Sequence, residues 1–199
     1  MFFNKKFILA SSSSSRYKIL KNNKLIFIKK KPSCNEEKLK KKLINNKTTP
    51  QKISLELARL KSTSIGKKNP KHLVVGCDTV IFFEGTLLNK AKSLKDAKKK
   101  IIKLSGKIHD IYSSASVFFN GKEIWKSTQK SKVKIRNLSE KEIDKYLLKT
   151  KKQILNSIGC YQIEGLGPNI IDETKGDFFN IMGFPLFPFL RFLKNYKNG

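Results

Sequence analysis

Acidic residues are scarce in this chain, 15 against 43 basic ones. The few that stand beside apolar or glycine-rich sequence are therefore the first places to look for chemistry. Asp78 follows the apolar run Leu73-Val74-Val75-Gly76-Cys77 and precedes Thr79. A carboxylate at the mouth of a buried strand suits either a divalent cation or general-base work. The plainer reading is a turn Asp bonded to its own backbone. Glu36-Glu37, just after Pro32-Ser33-Cys34-Asn35, offers a further metal ligand or simply a solvated helix start. The run Ser11 to Ser15 followed by Arg16 breaks out of the apolar segment Phe7-Ile8-Leu9-Ala10. Backbone N–H groups at such a turn, the positive end of a helix dipole and an Arg fork would together suit a phosphate. The same run also reads as a serine-rich helix cap. Lys61 and Lys90 gain nothing from spacing among so many lysines, although Lys90 follows a predicted hairpin from which a loop lysine could reach a cleft. Gly165-Leu166-Gly167, next to Glu164, is not a dinucleotide fingerprint.

Other chemistries have little to work with. His72 and His109 are the only histidines, which leaves few partners for Ser/His/Asp or Cys/His catalysis, and there is no P-loop signature. Cys34, Cys77 and Cys160 are odd in number, far apart and without CxxC spacing, so neither a disulfide framework nor a zinc site is expected and a reducing, cytoplasmic compartment is. No apolar run approaches the roughly 20 residues of a membrane span, and the apolar stretch near the N-terminus is too short for a signal-peptide core. The formal charge of +28 invites a nucleic-acid-binding or cell-division role without hydrolase activity as the alternative function. Yet the basic residues are 39 Lys and only 4 Arg, spread along the whole chain, and Arg is the residue favoured for bidentate recognition. That pattern, with abundant Ile, Asn and Phe, looks like genome bias rather than a binding face.

The elements that must position these groups alternate. A strand over the apolar N-terminal segment leads into a helix over 14–21, then a strand near 25–30. Residues 36–47 read as a surface helix, and 51–65 as a second one with Ile53, Leu57 and Leu60 at helical spacing. Leu73 to Cys77 reads as a buried strand with Asp78 at its end, followed by a hairpin over 80–88. Ser93 caps a helix to Leu104. Two β-rich segments, 108–119 and 124–135, meet at Asn120-Gly121, a type I′ hairpin signal. Ser139-Glu140-Lys141-Glu142 resembles a capping box. A glycine-broken stretch then leads to a short strand near Ile170-Ile171 and a last apolar helix within 184–196.

Taken in order, eight segments resemble the motifs of the Maf family of nucleoside triphosphate pyrophosphatases, over nearly the whole chain from Phe7 to about Leu193. They are Leu9-Ala10-Ser11-Ser12-Ser13-Ser14-Ser15-Arg16, Asn35-Glu36, Leu57-Ala58-Arg59-Leu60-Lys61, Gly76-Cys77-Asp78-Thr79-Val80, Leu88-Asn89-Lys90, Leu104-Ser105-Gly106-Lys107-Ile108-His109, the stretch Gly159 to Gly167, and Asn180-Ile181-Met182-Gly183-Phe184-Pro185-Leu186. The resemblance implies a single Maf-like domain over 1–199. Its implied fold is mixed α/β, with a central twisted mixed sheet flanked by helices and two lobes around a deep substrate cleft; relatives are often homodimers. It also implies hydrolysis of a nucleoside triphosphate to the monophosphate and pyrophosphate, with Mg2+ or Mn2+.

The implied roles go to Asp78 as base and metal ligand, Glu36 as a shared metal ligand, Ser11, Arg16, Lys61 and Lys90 as phosphate contacts, and Glu164 as the group that selects the nucleobase. The chain departs from the family pattern at Ser14 and Ser15, where Pro and Arg are usual, and at Ala91, where Pro follows the lysine motif. Glu164 stands where the pyrimidine-specific branch has Gln, so dTTP or UTP specificity does not carry over. Branches with Glu there resemble 7-methyl-GTP hydrolases.

Overall fold

A computed structural model describes residues 5–196. The first strand, β1 (Phe7–Ala10), is followed by helix α1 (Ser14–Asn22), β2 (Phe27–Lys30), α2 (Glu36–Asn45) and α3 (Pro50–Gly66). Next come β3 (Leu73–Phe83), the short β4 (Thr86–Leu87), α4 (Leu94–Leu104), β5 (Ile108–Phe119) and β6 (Lys122–Ile135). Helix α5 (Glu140–Thr150), strand β7 (Ile171–Lys175), the one-turn α6 (Phe178–Ile181) and α7 (Leu186–Asn195) complete the order. The strands form a mixed seven-stranded sheet in the order β2-β1-β3-β5-β6-β7, with β4 paired to β3. β1 lies parallel to both β2 and β3, whereas β4 and β7 pair antiparallel. The mixed α/β class implied by the resemblance is the one observed.

The chain divides into two compact units, one built from the chain up to Thr79, Tyr112–Gln129 and the chain from Asp177, the other from Val80–Ile111 and Lys130–Gly176. In the first unit, strand alternation sorts the core into two faces. Phe7 and Leu9 of β1, Leu73, Val75 and Cys77 of β3, and Ala115 and Val117 of β5 pack with Ile19 and Leu20 of α1 and Leu186, Phe189 and Leu193 of α7. Ile8, Ala10 and Val74 point the other way and cluster with Ile65 of α3. Phe189 meets Phe7 and Phe184 edge-on, at centroid distances of 5.2 and 5.4 Å.

In the second unit the caps follow the sequence signals. The Ser93 side chain accepts the Asp96 N–H, and Ser139 with Glu142 forms the reciprocal capping box of α5. Ala97, Ile101 and Leu104 of α4 and Ile143, Tyr146 and Leu147 of α5 are buried. The turn between β5 and β6, in the first unit, has φ 44° at Asn120 and 81° at Gly121, the left-handed backbone a type I′ hairpin needs.

One expectation requires correction. Asp78 does not end its strand: β3 continues unbroken from Leu73 to Phe83. Parallel pairing with β1 stops at Ala10 and Gly76, and pairing with β4 begins only at Phe82. Asp78 therefore lies just beyond the point where its neighbour stops. Asp78 itself is buried, at 8% exposure, and the strand runs on past it.

Candidate active site

The serine run divides its labour. Ser13 is the cap of α1, accepting the Arg16 N–H at 3.3 Å. Ser11 turns inward, where its Oγ accepts the Ser13 N–H at 3.2 Å and an Arg16 Nη1 hydrogen at 3.3 Å. With both lone pairs engaged, the Ser11 hydroxyl hydrogen is the group left to offer. Of the two readings the sequence leaves open, the helix cap is the one observed, and it falls on Ser13. Ser14 and Ser15 open the helix itself.

Arg16 is buried, at 8% exposure. Its Nε donates to the Gly183 carbonyl at 2.8 Å and its Nη2 to Thr79 Oγ1 at 3.0 Å. These partners, and Ser11, are all neutral, and among the described residues no carboxylate is paired with Arg16. Gly183 has φ +104°, a conformation that favours glycine, and a Cβ there would lie 3.1 Å from Thr79 Oγ1. Thr79 in turn lies 2.9 Å from Ser113 Oγ, and Ser113 donates to the Asn180 carbonyl at 2.8 Å.

On the other face, α3 rests closely on β3 because Gly76 carries no side chain. A Cβ there would lie 2.2 Å from the Ala58 carbonyl oxygen and 2.4 Å from the Ser62 nitrogen. Polar contacts fix the helix: Ser54 bonds Ser114 at 2.7 Å, Ser62 bonds Ser116 at 3.1 Å, and Arg59 forks onto Glu123 at 2.9 Å through both Nε and Nη2. Lys61 then faces β3. The residue is 6% exposed, and its ammonium donates to Asp78 Oδ1 at 2.6 Å and lies 2.9 Å from Glu36 Oε2, with the Cys77 carbonyl at 3.4 Å. Glu36 is the first residue of α2, held by the Asn35 cap that accepts the Lys38 N–H.

The structure thus brings Ser11 to Arg16, and Glu36 and Asp78 to Lys61; the peptide step from Asp78 to Thr79 joins the two groups. Lys90, on the exposed stretch after β4, and Glu164, in an exposed turn, belong to the second unit. The thiols nearby stay protonated: burial pushes Cys77 up to about 12, and burial together with the Glu36 carboxylate raises Cys34. Neither serves as a nucleophile at neutral pH.

Asp78 and Glu36 supply hard carboxylate oxygens that converge on one cationic point. That donor set fits a hydrated Mg2+ or Mn2+ completed by ligand phosphates and water, which uses one or two carboxylates. It does not make a closed protein cage, since among the described residues no group of three His, Cys, Asp or Glu is arranged to hold an ion.

Thr79, Ser113 and Gly183 take part as well, and the sequence alone gave none of them a site role. Thr79 and Gly183 lie inside motifs of the resemblance that give them no role, and Ser113 lies within the β-rich segment 108–119. Strand alternation was the available signal, since it sends Thr79 to the face opposite Asp78.

The family model described as Maf-like protein matches residues 6–196. The 7-methyl-GTP pyrophosphatase of Bartonella henselae is 39% identical over 148 residues, 74% of this chain and 75% of its own length. The nucleoside triphosphate pyrophosphatase of Caulobacter vibrioides is 35% identical over 152 residues, 76% of each chain. A nucleoside triphosphate pyrophosphatase of Pelagibacter ubique is 35% identical over 155 residues, 78% of this chain and 80% of its own. A match across almost all the described residues, with relatives of this identity covering three-quarters of both chains, makes this protein a member of the Maf family.

Proposed function

We propose that this protein hydrolyses a nucleoside triphosphate between the α and β phosphates, giving the nucleoside monophosphate and pyrophosphate. The observation that carries the reading is the buried Arg16 guanidinium with only neutral partners. A buried cation without a counter-charge is costly, and an anionic ligand relieves that cost. The relatives' names supply the substrate class, a triphosphate, which is the anion such a site would receive.

In this reading Ser11 donates its hydroxyl hydrogen to a phosphate oxygen and Arg16 directs its remaining N–H groups at the same anion. Lys61 holds Asp78 by Oδ1, so Oδ2 is the oxygen that orients water and accepts its proton as the water oxygen bonds to the α-phosphorus. The bond from the α-phosphorus to the bridging oxygen breaks, and its electron pair leaves with pyrophosphate. Positioning and charge neutralisation supply most of the rate enhancement. Asp78 and Glu36 are the residues that would hold a Mg2+ or Mn2+ ion, whose charge would offset that of the triphosphate. Lys90 is assigned to the phosphates and Glu164 to the nucleobase.

Purified protein with Mg2+ or Mn2+, given a panel of common and modified triphosphates that includes 7-methyl-GTP, should release pyrophosphate from at least one. Release of orthophosphate alone, or no release from any, would overturn the proposal. Asp78→Asn should lower kcat by about a thousandfold.

A further inference from the structure

We propose that Ser113 and Thr79 are positioning residues for phosphate recognition, acting through Arg16. The proposal rests on the reading that Arg16 meets the triphosphate, and it adds two residues that touch neither phosphate nor water in that reading.

The hydrogen-bond direction can be deduced from chemistry alone. The Asn180 carbonyl can only accept, so the single Ser113 hydroxyl hydrogen goes to it, at 2.8 Å. Ser113 Oγ must then accept in its 2.9 Å contact with Thr79, so Thr79 is the donor there, with the Gly183 carbonyl at 3.4 Å a longer second acceptor for the same hydrogen. With its hydrogen committed, Thr79 Oγ1 has only lone pairs to present to Arg16, whose Nη2 donates at 3.0 Å. The chain therefore runs one way, from Arg16 through Thr79 and Ser113 to the Asn180 carbonyl. Gly183 contributes a second fixed point by accepting from Arg16 Nε at 2.8 Å.

Every member is neutral except Arg16. Carboxylates in these places would fix the guanidinium equally well but would also cancel its charge. Hydroxyls and carbonyls fix its orientation and leave the positive charge available to an anion. Ser113 is fully buried and Thr79 partly so, which keeps water from competing for the Nη2 bond. Losing either hydroxyl frees the guanidinium to rotate away from its aim, and the loss should appear in anion affinity before it appears in the chemical step.

The test is a double-mutant cycle read by calorimetric binding of inorganic tripolyphosphate at about 0.15 M salt, a probe that needs neither turnover nor a nucleobase. Ser113→Ala should weaken binding about tenfold in the native background and have no further effect alongside Arg16→Lys. Thr79→Val should act like Ser113→Ala, whereas Thr79→Ser, which keeps the hydroxyl, should stay within about threefold of the native protein. With the best triphosphate from the panel, Ser113→Ala should raise KM about tenfold and leave kcat within about threefold. Equal losses with and without native Arg16, or no loss at all, overturn the inference even where pyrophosphate is released. Coupled losses of tripolyphosphate affinity in a protein that releases no pyrophosphate uphold it and overturn the assigned activity instead. Should Ser113→Ala fold poorly, the Thr79→Val and Thr79→Ser pair carries the same test.

Discussion

Asp78 and Thr79 are consecutive residues of β3 whose side chains enter opposite faces of the sheet. Asp78 takes the Lys61 ammonium at 2.6 Å on the α3 side, and Thr79 accepts Arg16 at 3.0 Å on the α1 side. One peptide unit therefore couples a carboxylate suited to activating water with a cation suited to holding phosphate. A strand does this better than a loop, because its period of two fixes both directions at once, and β3 is held in the sheet beside β5.

That coupling makes Gly183 sensitive to a single methyl group. Its φ of +104° is unfavourable to Ala, and so is the 3.1 Å approach that an added Cβ would make to Thr79 Oγ1. Gly183→Ala should cost about 1–3 kcal/mol of stability. It should also raise KM for the triphosphate, since the carbonyl that fixes Arg16 must shift. Thermal melts and steady-state kinetics on the same preparation check both effects.

Gly76 plays the corresponding part on the other face. Its Cβ would strike backbone, the Ala58 oxygen at 2.2 Å and the Ser62 nitrogen at 2.4 Å, and backbone cannot rotate aside. Gly76→Ala should destabilise by about 1–3 kcal/mol or more. Because α3 must lift away and carry Lys61 from Asp78, kcat should fall more than KM changes. A variant with native melting and native kcat would show that α3 is not the element that sets this pair.

Lys61 itself compensates two carboxylates. Lys61→Met keeps most of the side-chain volume but leaves the largely buried Asp78 without its partner, a loss of about 3 kcal/mol by analogy with broken buried pairs. Adding Asp78→Asn should restore much of that stability without restoring turnover, which separates the structural cost from the catalytic one. Urea denaturation of the single and double variants measures it.

Much of this arrangement was legible in the sequence, and the parts that were not share a cause. Ser11, Arg16, Lys61 and Asp78 stood out because the resemblance gives each a motif. The helix starts at Ser93 and Ser139 were legible because capping is local. Ser113 and the Gly183 carbonyl were not, because their roles depend on which residues of distant segments meet: Ser113 reaches Asn180 across 67 positions, and Arg16 reaches Gly183 across 167. The continuity of β3 past Asp78 was missed for a related reason. Asp78 and Thr79 look like a break in an apolar run, and it is sheet pairing, with β1 and β4 on one edge and β5 on the other, that keeps the backbone extended.

The second unit carries its own pH dependence. His109 is 2% exposed, and burial pushes its pKa down to about 4 from the ordinary 6.5, with Asp110 acting weakly the other way. Its Nε2 lies 2.5 Å from the Tyr161 hydroxyl, whose own ionisation burial pushes up, so the pair is neutral. Since the unfolded chain binds the His proton more readily, stability from this group is complete above pH 6.5 and is lost as pH falls toward about 4. The full loss is about 3 kcal/mol. Denaturation at about pH 7.5 and about pH 4.5 should show most of that difference, and His109→Gln should shrink it.

Nucleobase choice can be tested at Glu164 by exchanging one atom type. Guanine presents N1–H and N2–H donors side by side, and a carboxylate accepts both. Uracil presents one N–H flanked by carbonyl oxygens, which a carboxylate repels and an amide can satisfy by donating. In its proposed role as the base-selecting group, Glu164 would therefore favour guanine-type triphosphates. Glu164→Gln should lower the ratio of kcat/KM for 7-methyl-GTP over UTP by at least about tenfold, the discrimination of one good bidentate pair. The change should come mostly from a loss on the guanine side, because the amide removes one acceptor and adds a donor where guanine already donates. An unchanged ratio would remove Glu164 from base selection while leaving the assignments of Asp78, Arg16 and Lys61 untouched.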